Sequence, residues 1–133
     1  MKGLLQVHWR TALFAVGFGG ATVLAACATS GHPDPRPGIT AAAVVPRAML
    51  AGYPNEVSAY EAARQIPEVL DGLYCHCDCS KHSGHRSLLT CFESQHGASC
   101  EVCQREAMMA AQMHRQGSTL DQIRQAVDAQ FGS

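Results

Sequence analysis

Six of the chain's seven cysteines fall between residues 75 and 103, and their spacing restricts the fold more than any other feature. Cys75, Cys77 and Cys79 form a C-x-C-x-C run, Cys91 stands alone, and Cys100 and Cys103 form C-x-x-C. In a strand, the three sulfurs of the run share a face about 6.6 Å apart, too far to share one metal at about 2.3 Å. In a helix, Cys75 and Cys79 align while Cys77 points away. If all three act together, residues 75–79 must form a turn or loop. Cys100 and Cys103 differ: residues three apart share a helical face, and a helix N-terminus favours thiolates. That pair suits metal binding or redox exchange. An even set of six in an exported domain also suits a disulfide framework, with 15 pairings open.

Export is written at the N-terminus. Lys2 and Arg10 are the only charges in residues 1–26, and the uncharged run 11–26 is shorter than the ~20 apolar residues of a membrane span. Leu24-Ala25-Ala26-Cys27 resembles the bacterial lipobox. The resemblance implies a lipoprotein signal peptide over 1–26, cleavage before Cys27, and acyl chains such as palmitate on Cys27, which anchor the protein to a membrane. Ala28 follows instead of aspartate, which in a two-membrane host implies the outer membrane, facing the periplasm. Without Lys2 and Arg10, eight basic residues face eleven acidic ones, a net charge near −3. No basic patch remains for nucleic acid.

Residues 27–54, with Pro33, Pro35 and Pro37, read as the lipidated cysteine and a disordered linker, in which His32 and Asp34 have no role. Residues 55–133 form the domain, small enough to need a staple. Asn55, or the box Ser58–Glu61, caps a first helix. Pro67 opens a short helix that Gly72 ends, and Ser87–Gln95 forms another carrying Cys91. Ser99 caps a long helix ending at Gly117, and Ser118 with Asp121 caps the last. Leu120, Ile123, Val127 and Phe131 make one apolar stripe, and Val102, Met109 and Met113 another. The methionines, Tyr60 and Phe92 read as core. The expected fold is all-α: a small helical domain with a Cys/His-rich loop and a C-terminal antiparallel helical hairpin.

Cys75-His76-Cys77-Asp78-Cys79, Gly84-His85-Arg86-Ser87-Leu88, Cys91-Phe92 and His96-Gly97-Ala98-Ser99-Cys100-Glu101-Val102-Cys103 together resemble the CYCXC (PCYCGC-motif) family of bacterial envelope lipoproteins. Some members carry selenocysteine in the motif, which implies metal capture or redox work more than a static staple. The chain departs from the motif at Tyr74 (Pro in the family), His76 (Tyr) and Asp78 (Gly).

Thiolate-rich sites with imidazole select Cu(I) or Zn(II), and the dense C-x-C run tips the balance toward Cu(I). The candidate ligands are Cys75, Cys77, Cys79, Cys91, Cys100 and Cys103, with His85 and His96 ahead of His82 as additions; His114 has none of this role. No thiol is singled out as a nucleophile, so binding is expected and enzymatic catalysis is not. A disulfide-stapled module and a thiol redox protein using Cys100 and Cys103 are the alternatives. The sequence identifies no protein partner.

Overall fold

The computed structural model describes residues 31–132. The expected signal peptide with its apolar run, and Cys27, lie outside them. Five α-helices follow in order: α1 Val57–Gln65, α2 Pro67–Asp71, α3 Cys79–His82, α4 Glu101–Arg115 and α5 Leu120–Phe131. Short 3-10 turns occupy Ala41–Ala43, Arg47–Leu50, Leu89–Phe92 and Gln95–Ser99, and there is no strand among the described residues. The all-α expectation holds. No helix among the described residues is long and apolar enough to cross a membrane.

Helix α4 is the centre, with α1 and α5 packed on it. Its buried face is not the expected methionine stripe. Cys103, Glu106, Ala107, Ala110 and Ala111 are buried, while Val102, Met109 and Met113 are only half-buried and Met108 is exposed. Small side chains on α4 face a helix that itself buries Ala59, Ala62 and Ala63, which lets the two helices approach closely. Tyr60 and Phe92 fill the space beside them edge to face, 5.0 Å between ring centroids. The Tyr60 hydroxyl donates to the carbonyl of Ser94 and accepts from the Ala98 amide. On α5, Ile123 and Val127 are buried, with Leu120 and Phe131 packed at the edge.

The caps shift from their expected places. Helix α1 is entered through Glu56 in helical backbone, with no side-chain cap from Asn55, and the Ser58–Glu61 box lies inside the helix. The α4–α5 hairpin turns at Gly117, in the left-handed region at φ 86°. Thr119 and Gln122 then form the capping box, one residue beyond Ser118 and Asp121. Pro67 and Gly72 bound α2 as expected.

The largest departure is the linker. Its described part, residues 31–54, is not disordered: it straps the helices, burying Val44 and Leu50. Its five prolines supply carbonyls without amides, and arginines take up several of the strap's acceptors. Arg124 donates to the Pro33 carbonyl (2.9 Å), Arg86 to that of Asp34 (2.6 Å), and Arg64 to those of Val44 and Val45. Arg36 closes the strap on buried Asp71 through its guanidinium and its backbone amide, and its guanidinium also reaches Glu93.

Candidate metal centre

The C-x-C-x-C run is a turn, as its spacing demands. Asp78 sits in the left-handed region at φ 60°, where the family motif has glycine. Asparagine and aspartate tolerate this conformation better than other side-chain-bearing residues. The Asp78 carboxylate is held by the Tyr74 hydroxyl and by Lys81, and its amide by the Cys75 carbonyl. The reversal folds α3 back, so Cys79 starts a helix beside Cys75. From α4, Cys103 reaches the same point: its sulfur lies 3.2 Å from that of Cys75 and 3.5 Å from that of Cys77. Cys75 and Cys77 are 3.4 Å apart, and Cys77 and Cys79 are joined in a disulfide.

The loop after α3 supplies the rest. Leu88 donates to the Leu73 carbonyl at 2.7 Å and anchors the 3-10 turn carrying Cys91. Gly97 lets the next turn press on this one, since a Cβ there meets the Cys91 carbonyl oxygen at 3.0 Å and the Phe92 ring at 3.1 Å. That approach sets His96 Nε2 at 3.2 Å from the Cys79 sulfur. His85 Nδ1 lies 3.2 Å from the Cys91 sulfur, and the two imidazoles stack edge to face at 4.5 Å. Three sets of donors each fit within 4.8 Å: Cys75, Cys79, Cys91 and Cys103; Cys77, Cys79, His96 and Cys103; Cys79, His85, Cys91 and His96. This Cys/His cluster can hold a metal ion.

Of the eight candidate ligands, seven meet here; Cys100 joins none of the sets. Cys100 is the extended N-cap of α4, outside the helix, with Ser99 closing the preceding turn instead of capping. The pair therefore does not share a helical face: Cys103 is buried and Cys100 partly exposed. His82 is exposed and faces the Cys77 carbonyl, and His114 lines a separate hollow of about 350 Å³ with Pro67 and Glu68.

The thiols share charge unequally. Hydrogen bonds from Cys103 and Cys91 hold Cys75 down to about 3, so it is the thiolate. Cys103 is pushed up by its hydrogen bonds to Cys75 and Cys91 and by burial. At Cys91, hydrogen bonding with Cys103 favours the thiolate, but the contact with Cys75 and burial outweigh it and raise the pKa.

A chain of polar side chains behind the cysteines forms no part of the sequence reading. Glu106 is fully buried, and burial followed by the nearby charge on Cys75 pushes it up to about 9, so it is protonated at neutral pH. Its Oε1 accepts from the His76 amide (2.9 Å) and meets His76 Nδ1 at 2.6 Å. His76 Nε2 reaches Asp128, which also bonds His32 Nε2 at 2.9 Å. His32 accepts the Tyr74 amide on Nδ1, and burial lowers its pKa. The available signal was Glu106, three residues after Cys103 and so on the same face of α4.

A family model described as a protein of unknown function with PCYCGC motif matches residues 23–133. No curated protein and no solved structure matches the chain.

Proposed function

This chain belongs to the PCYCGC-motif family, and from that premise we propose that it is a lipid-anchored protein of the bacterial cell envelope that binds a soft metal ion. It sequesters or hands over Cu(I) or Zn(II) and catalyses no reaction on an organic substrate. In a two-membrane host it faces the periplasm from the outer membrane, held by acyl chains on Cys27. One observation carries the metal reading: sulfur and imidazole donors from α3, α4 and three loops form overlapping sets of four, each within 4.8 Å, with Cys75, Cys79, Cys91 and Cys103 all buried. Soft donors in this mixture select Cu(I) or Zn(II). A static staple is less well supported, because the Cys77–Cys79 bond links residues two apart. So short a ring ties no distant elements together.

That same disulfide favours a second reading, thiol–disulfide exchange. The Cys75 thiolate lies 3.4 Å from the Cys77 sulfur. Attack there forms a Cys75–Cys77 bond, breaks Cys77–Cys79, and releases Cys79 as a thiolate beside His96.

Metal binding to thiolates gathered from several elements acts as folding free energy. Zinc or Cu(I) at about 100 times its dissociation constant adds about 2.7 kcal/mol and raises the melting temperature by several degrees. The measurement is thermal unfolding of the reduced chain with and without each metal, alongside elemental analysis and thiol counting after anaerobic purification. Identical melting with and without both metals rejects the metal reading. Metal-free protein that cycles a disulfide reversibly favours exchange.

A further inference from the structure

We infer that the cluster holds two soft metal ions, bridged by the thiolates of Cys79 and Cys91. One ion is completed by Cys75 and Cys103, the other by His85 and His96. This rests on the soft-metal reading above and extends it to the number of ions and the division of donors.

The argument starts from the overlap of the sets. The all-cysteine set and the set with both histidines have two members in common, Cys79 and Cys91. A thiolate sulfur has lone pairs for two metals, whereas an imidazole nitrogen has one. The shared residues are thus of the type that can bridge, and the unshared ones supply two terminal donors per ion. The result is one S₄ and one S₂N₂ set, both tetrahedral combinations suited to zinc. Bond lengths of about 2.3 Å to sulfur and 2.0–2.1 Å to nitrogen imply tetrahedron edges of about 3.8 Å (S–S) and 3.5 Å (S–N). Cys75–Cys103, Cys79–His96 and Cys91–His85 each stand at 3.2 Å. An expansion of a few tenths of an ångström at these edges, with the longer ones, all within 4.8 Å, drawing in, admits the ions.

The remaining set, with Cys77, competes. Pairing it with the histidine-rich set requires His96 Nε2 to bridge, which imidazole cannot do. Pairing it with the all-cysteine set makes Cys79 and Cys103 the bridges and uses five thiolates and one imidazole. Four thiolates with two Zn(II) are neutral, and five leave one negative charge. Because Cys75, Cys79, Cys91 and Cys103 are at most 4 % exposed, an uncompensated charge is costly. The balance favours Cys79 and Cys91 as bridges whichever soft ion is bound, since the competing set always carries one more negative charge.

Loading requires Cys79 free. A phosphine supplies two electrons, with the two protons and the oxygen of its oxide coming from water; a dithiol supplies both the electrons and the protons. The Cys77–Cys79 bond becomes two thiols while the reductant becomes a phosphine oxide or a disulfide. The incoming ions then displace the thiol protons.

The test uses the full chain reduced with a phosphine. Zinc is titrated in and counted by native mass spectrometry and elemental analysis. Cobalt(II) in place of zinc reports bridging, because ions sharing thiolates couple magnetically. The expected result is two ions per chain in the wild type, in Cys77→Ser and in Cys100→Ser, and one in the double variant His85→Ala, His96→Ala. The cobalt(II) paramagnetic signal should rise to about one equivalent and fall by the second. Saturation at one ion, or two ions that remain uncoupled, overturns the bridged pair but leaves metal binding standing. A drop to one ion in Cys77→Ser assigns the second ion to the competing set and also overturns it. Reduced wild type that holds no zinc or cobalt overturns the metal reading itself. If the double histidine variant does not fold, the wild-type count, the cobalt signal and Cys77→Ser decide.

Discussion

Two buried carboxyl groups, Asp71 and Glu106, take opposite charge states, and their partners explain why. Burial pushes Asp71 upward, but hydrogen bonds from Arg36, Ser87 and Arg86 outweigh it and hold the group at about 2, below its ordinary 3.8. Burial pushes Glu106 up, the Cys75 thiolate beside it adds to this, and no guanidinium opposes them, so it stays protonated. A carboxyl group whose folded pKa is depressed stabilises the fold above its unfolded pKa and loses that contribution as pH falls. For Asp71 the window is about pH 4 down to 2, and the shift corresponds to roughly 2 kcal/mol. Urea unfolding of the wild type should show this loss across that window, and Asp71→Asn should be destabilised at neutral pH and nearly flat within it. An unchanged slope in the variant would place the acid sensitivity elsewhere. None of this was legible beforehand. Asp71 looked like the end of a short helix and Arg36 like part of a linker, because their pairing spans 35 residues of sequence.

At the scale of elements, what depends on local spacing was readable and what depends on neighbours was not. The α5 stripe, the Pro67 start, the Gly117 turn and the need for a loop at 75–79 all follow from residues within one turn of each other. The caps slipped by a residue because Ser118 and Thr119 are both competent, and the α4–α5 connection decides between them. The face of α4 was misjudged because alanine gives little periodic signal, yet close helix packing selects it. Cys100 falls outside the three donor sets because the helix begins one residue later than Ser99 suggests. Gly97 links an element to the site: the turn over 95–99 approaches Cys91 only without a Cβ. In Gly97→Ala the added methyl meets a backbone oxygen at 3.0 Å and a packed ring at 3.1 Å, neither of which yields freely. A cost of about 1–3 kcal/mol is expected, with helix content retained and zinc affinity reduced as Cys91 and His96 separate. Circular dichroism melts with and without zinc check this, and a variant as stable and as zinc-responsive as the wild type would contradict it.

Over the whole molecule, the strap changes how an anchor would act. A disordered tether would let the domain range far from a membrane. Instead, His32 is bonded to Asp128 on α5, and Pro33 to Arg124. Cys27 precedes Gly31 by four residues, a reach of at most about 14 Å. Acyl chains on Cys27 would therefore hold the α5 side of the fold, with the His32–Asp128–His76 network behind the cysteines, close to the lipid. Attachment and folding remain separable, because every strap contact described lies at or beyond residue 32. Cys27→Ser should move the protein from the membrane fraction to the soluble fraction while leaving its melting temperature and zinc count unchanged. Fractionation followed by thermal unfolding of the released protein tests both halves. Retention of Cys27→Ser on membranes would reject lipid attachment at this residue, and a lowered melting temperature would show that attachment also supports the strap.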